Sequence, residues 1–130
     1  MSESTSAGDS YRAVAVPTPP AMEHVRIILV EPQHPGNIGS SARAMKTAGL
    51  CDLVLVRPVP FRDSPDAWNL ASGARDLLEA ARVVDDLDEA SEGLHWLVGT
   101  TNRRRDGVID QLVPVREGTA QIASIAADRR

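Results

Sequence analysis

At 130 residues with 42% hydrophobic side chains, the chain has room for one domain with its own core and not for two. No stretch reaches the roughly 20 apolar residues of a membrane span, and the start, carrying Glu3 and Asp9 with no apolar run, lacks a secretory pattern, so a cytoplasmic protein is expected. A formal net charge of -4 argues against nucleic-acid binding through overall charge and leaves only local contacts, for which Arg43 with Lys46, Arg57 with Arg62, and the run Arg103, Arg104, Arg105 are available.

Residues 1 to 23 are rich in Ser, Thr, Ala and Pro without periodicity, and are expected to form a disordered leader. The domain should then occupy residues 24 to 130. Val25 to Val30 is a β-branched, nearly continuous apolar run, the pattern of a strand buried on both faces of a parallel sheet. Glu31 to Gly39 is a turn-rich loop, and Ile38, Ala42, Met45 and Ala48 recur at helical spacing, with Asn37 as the expected N-cap and Gly49 just past the end. Cys51, the single cysteine, excludes an intramolecular disulfide and reads as a small apolar residue.

Leu53 to Val56 repeats the buried-strand pattern and is ended by Arg57-Pro58-Val59-Pro60. Ser64-Pro65-Asp66 starts a helix that Gly73 interrupts. Ala74 to Ala81 reads as a helix, Arg82 to Val84 as a short strand, Leu87 to Ser91 as a helix, and His95 to Val98 as a further buried strand that includes Trp96. A polar loop runs from Gly99 to Asp106, and Ile122, Ile125 and Ala126 mark a last helix over Arg116 to Ala127. The alternation predicts an α/β fold, an open and mainly parallel sheet with helices on both faces.

Ligands of such sheets bind beyond the carboxyl ends of the strands, which points to the loops Glu31 to Gly39 and Gly99 to Asp106. Glycines and a helix start suit the first loop to an anion or ribose phosphate, although Pro-Gly-Asn-Ile-Gly is equally compatible with an ordinary strand-to-helix turn. Gly39, Ser40, Arg43, Lys46 and Thr47 fall on one helical stripe opposite the apolar one, from which Arg43 could present its fork to an anionic oxygen; a solvated arginine gives the same pattern. Asp76 and Gly73-Ala74 read as structural. His34 reads as a loop residue, His24 and His95 as bystanders, and Trp68 as a residue able to stack a base.

The stretch Ile27 to Leu50, with Leu53-Val54-Leu55-Val56-Arg57-Pro58, Ala71-Ser72-Gly73-Ala74 with Asp76, and Leu97-Val98-Gly99-Thr100-Thr101, resembles the SpoU-type (SPOUT superfamily) RNA 2'-O-ribose methyltransferases, particularly the TrmJ group of tRNA methyltransferases. The resemblance covers residues 25 to about 105. It implies an α/β-knot fold and methyl transfer from S-adenosylmethionine to a ribose 2'-hydroxyl, with a cytidine or uridine at position 32 of a tRNA anticodon loop as the implied target. Asn37 and Arg43 match the residues that position and activate the hydroxyl. Thr100, Thr101 and Asn102 fall at the cofactor contacts, although Asn102 departs from the usual residue. RNA contacts are expected from Glu31, Gly39, Ser40, Lys46 and Arg103.

The family's Gly-Arg-Glu-type and Ser-Leu-Asn-type loops, which complete its knot, have no counterpart after Ala127. The expectation is therefore a domain with its C-terminal knot missing or incomplete, inactive alone. The alternative is a non-catalytic remnant that binds RNA phosphate. The resemblance also implies a homodimer for an intact enzyme, and no metal or membrane partner is expected.

Overall fold

A computed structural model describes residues 20–100 and 115–128. Three strands, β1 (Arg26–Val30), β2 (Asp52–Val56) and β3 (Arg82–Val84), form a parallel sheet in that order, with Val30 opposite Val56 and Val56 opposite Val84. The central strand explains its own sequence, since Leu53, Val54, Leu55 and Val56 are all buried. Leu53 and Leu55 enter a core formed with α1 (Pro35–Ala48), α2 (Pro65–Ala71) and α3 (Arg75–Ala80). Val54 and Val56 meet Val84 and Ala90 of the short α4 (Leu87–Ala90) on the opposite face. Strand alternation thus divides one apolar run between two layers, as a doubly covered sheet requires.

Helix α1 begins earlier than its apolar period suggested. Pro35 occupies the first turn, where its missing N–H costs nothing, and extended His34 precedes it without a side-chain cap. Asn37 is consequently not the N-cap: it lies inside the first turn, its side chain exposed and its backbone N–H donating to the His34 carbonyl at 3.0 Å. The other end follows expectation. Gly49 takes φ 80°, its N–H donates to the Lys46 carbonyl at 3.2 Å, and Leu50 N–H donates to Met45 O at 2.9 Å, the paired bonds of a Schellman cap. Leu50 also packs on the core that contains Met45.

Between α2 and α3 the chain bends through a 3-10 turn, Ser72–Ala74. Ser72, with φ 52° and ψ -120°, occupies backbone space that side chains rarely adopt. Arg62 finishes α3, its guanidinium donating to the carbonyls of Leu78 and Ala81 at 3.3 and 2.9 Å. At the amino ends of the strands Asp52 receives Arg26 at 2.9 Å and Arg82 at 3.2 Å. Arg26 also donates to Ala90 O and Glu92 O, tying β1 to the end of α4.

Several expectations need correction. Residues His95 to Val98 form no strand, and Trp96, Leu97 and Val98 are 54%, 55% and 46% exposed. An apolar run becomes a buried strand only when a neighbouring ladder and two covering layers receive it, and no described element supplies them here. Cys51 is exposed on the link from α1 to β2. The expected leader lies largely outside the described residues. Its last residues belong to a 3-10 turn, Pro20–His24, where the His24 ring nitrogen Nδ1 lies 2.9 Å from the carbonyl of Ala126 in α5 (Val115–Asp128).

Candidate RNA-facing site

Beyond the carboxyl edge of the sheet, β1 and β2 end in the same way. Val30-Glu31-Pro32 and Val56-Arg57-Pro58 lie side by side, and both Glu31 (φ 49°) and Arg57 (φ 43°) are left-handed. Such backbone is disfavoured for residues with a Cβ and persists where the surroundings hold it. Here Glu31 N–H donates to Val56 O at 2.8 Å and Arg57 N–H to Val84 O at 3.0 Å, each reaching the next strand. The side chains then meet, Arg57 Nη2 lying 2.8 Å from Glu31 Oε1, while Arg57 Nη1 donates to the Asp85 carbonyl. The hydrogen bond to Glu31, followed by its negative charge, raises the Arg57 pKa above the ordinary arginine value. The sign is that of a cation gaining a partner, so the guanidinium keeps its charge throughout the neutral range.

From this edge the connector runs through Glu31–His34 into α1, braced by Gln33 Nε2 on Glu31 O at 2.9 Å and by Val59 N–H on Pro32 O at 3.2 Å. No acidic residue occupies the first turn of α1, so nothing there opposes the positive end of the helix dipole. The expected stripe on this helix divides in two. Ser40, Arg43 and Thr47 are exposed, and Thr47 Oγ1 donates to Arg43 O at 3.1 Å. Gly39 and Lys46 turn towards α2 and α3 instead.

Gly39 is buried so closely that a Cβ placed on it would lie 2.0 Å from the Ala67 carbonyl oxygen. Lys46, its side chain 16% exposed, lies 2.7 Å from Asp76 Oδ2, so any RNA contact would have to draw it from that partner. Asp76 Oδ1 is sealed from solvent with no partner, although the side chain as a whole is 44% exposed. An Asp76→Asn variant should lose about 1 kcal/mol, less than a fully buried charged bond because solvent screens part of the pair. Urea unfolding checks this as a lowered midpoint with an unchanged slope.

Arg43 has no ion pair with any other described residue. No hydrogen bond joins it to Asn37, which lies six positions back and about 120° round the helix axis. The two therefore share the solvent side without stacking. Trp68 is already engaged: its Nε1 donates to Arg62 O at 2.7 Å and the Arg75 guanidinium lies 5.8 Å from its ring centroid.

Of the residues expected at a cofactor, Thr100 is described and exposed, whereas Thr101, Asn102 and Arg103 lie outside the described residues. An adenosyl group needs an enclosed, mostly apolar pocket. The exposed segment leading to Thr100 forms no such enclosure, so the described residues do not by themselves fit that cofactor. Among the described residues no three His, Cys, Asp or Glu side chains converge as metal ligands. Sequence reasoning offered Arg57 only as a local cation with Arg62 and missed its pairing with Glu31; the sequence shows the like-placed Val-Glu-Pro and Val-Arg-Pro, but that they lie side by side needs the strand register.

The sequence model of the SpoU rRNA Methylase family matches residues 24–120. A tRNA (cytidine/uridine/adenosine-2'-O-)-methyltransferase TrmJ from Pseudomonas aeruginosa is 52% identical over 84 residues, 65% of this chain and 32% of that protein. A tRNA (cytidine/uridine-2'-O-)-methyltransferase TrmJ from Salmonella typhimurium is 46% identical over 105 residues, 81% of this chain and 43% of its own length. The matched stretch thus covers less than half the length of each of these curated relatives. The solved structure of a protein described as of a methylase family, from Neisseria gonorrhoeae, superposes with a TM-score of 0.69 at 32% identity, covering 88% of this chain and 61% of that one.

Proposed function

The chain belongs to the SpoU rRNA methylase family, and we propose that it carries the RNA-facing part of a tRNA ribose 2'-O-methyltransferase. The observation that supports this most is Arg43, a solvent-facing cation held by no described carboxylate, on a helix whose first turn carries no acid. A guanidinium keeps its charge throughout the neutral range, so it suits stabilisation of negative charge better than proton removal. In this reading Arg43 anchors an RNA phosphate and stabilises the oxyanion developing at the ribose 2' oxygen, while the proton passes to water or a phosphate oxygen. Asn37 borders the same path from the first turn. Ser40 lies beside Arg43, and Glu31 lines the entry.

S-adenosylmethionine is the methyl donor this reading calls for, with Thr100, Thr101 and Asn102 as its candidate contacts. The intact enzyme would be a cytoplasmic homodimer acting on a pyrimidine nucleoside of tRNA. A second reading, RNA-phosphate binding without catalysis, is favoured by the segment from His95 to Thr100, which is largely exposed among the described residues.

Two titrations of the purified chain separate these. A labelled tRNA transcript followed by fluorescence anisotropy should bind saturably and weaken as salt rises. The described residues do not by themselves fit the cofactor, so calorimetric titration of S-adenosylhomocysteine into this chain should give no saturable heat; saturable binding at roughly micromolar Kd would contradict that expectation and decide for the enzyme reading. A chain that fails to bind tRNA at low salt overturns both.

A further inference from the structure

We propose that Arg57 is a positioning residue for the RNA-facing connector: by clasping Glu31 across the strand ends, it sets the path by which Glu31–His34 delivers α1. The inference deepens the RNA-facing reading and rests on it. Three observations carry it. Glu31 and Arg57 each follow the last paired residues of their strands, Val30 and Val56, and both are in left-handed backbone where the chain leaves the sheet. The guanidinium is used at both ends, Nη2 on Glu31 Oε1 at 2.8 Å and Nη1 on the Asp85 carbonyl, so one side chain spans the exits of all three strands. The connector it holds has its own braces, Gln33 on Glu31 O and Val59 on Pro32 O, and ends at the His34 carbonyl, which receives the first bond of α1 from Asn37.

An exposed ion pair does little for overall stability. Its effect is geometric, because fixing Glu31 fixes the start of a four-residue link whose other braces, from Gln33 and Val59, act on backbone carbonyls and leave the Glu31 side chain to Arg57. A guanidinium that merely waited for phosphate would behave differently, since Glu31 would then compete with RNA for it. The two accounts give opposite signs for removing the Glu31 charge.

The test uses the full chain with Arg57→Gln, Glu31→Gln, the double variant and Arg57→Lys. Thermal midpoints should stay within about 2 °C of the unaltered chain, as expected for an exposed pair. Amide exchange at Asn37 should accelerate by roughly three- to tenfold, the signature of local rather than global opening. Affinity for a tRNA anticodon stem-loop should fall about fivefold in each single variant and no further in the double, because one coupled unit is being broken.

Arg57→Lys, which keeps the charge but not the fork, should recover part of the loss. Tighter RNA binding by Glu31→Gln, additive losses in the double variant, or unchanged exchange would each overturn the inference. Accelerated exchange with unaltered RNA affinity overturns the inference alone, whereas absence of RNA binding by the unaltered chain overturns the proposed function beneath it.

Discussion

A Gly39→Ala variant should lose about 3 kcal/mol of stability, the upper part of the range for overpacking a filled interface, and its thermal midpoint should fall by on the order of 10 °C. Two terms oppose each other at this position. Alanine favours the helix by roughly 1 kcal/mol over glycine, but its Cβ would lie 2.0 Å from the backbone oxygen of Ala67 and 2.9 Å from its carbonyl carbon. Backbone cannot swing aside as a side-chain end can, so α1 and α2 must separate, and Ile38, Ala42, Ala67 and Ala71, all fully buried, lose packing together.

Gly36→Ala provides the contrast. Its Cβ would meet the flexible Leu70 Cδ1 at 2.9 Å, a contact that rotation of an exposed leucine relieves. That variant should melt close to the unaltered chain. Circular dichroism melts of the pair decide the matter: equal midpoints for both variants would contradict the close α1–α2 approach.

Arg43→Ala should leave the fold intact and weaken tRNA binding by roughly ten- to a hundredfold, the range for losing a charged hydrogen bond to phosphate. The salt dependence should flatten by about one phosphate contact. Arg43→Lys should recover part of the affinity, since a point charge keeps the attraction without the forked geometry. Anisotropy titrations at several salt concentrations check all three outcomes. An unchanged midpoint is expected because Arg43 is exposed and holds no described partner.

Much of the scaffold was legible from residue pattern alone. β2 announced itself because a central parallel strand must be apolar on both faces, and Gly49 marked the end of α1 because the Schellman cap needs a left-handed residue. The start of α1 was misread because the apolar period begins only at Ile38. Pro35 and Gly36 form the first turn without apolar side chains, which moves Asn37 from the cap into the helix.

The strand expected at His95 to Val98 failed for another reason, since composition records an appetite for burial and not whether a partner is present. For the candidate site, the sequence put forward Arg43 and the connector before α1, and Arg43 is exposed in the structure. Helical spacing also grouped Gly39 and Lys46 with Arg43, yet those two lie on the flank that α2 and α3 occupy, a fact that depends on which neighbour packs where. The pairing of Arg57 with Glu31 was likewise invisible without the strand register.

If the Arg43 guanidinium meets RNA, its side-chain Nε–H resonance reports the contact directly. Titration of the labelled chain with a tRNA anticodon stem-loop should shift the Arg43 signal in step with binding, while the Lys46 ammonium stays with Asp76. An Arg43 signal that stays in place while the RNA binds and other arginines move would contradict the account.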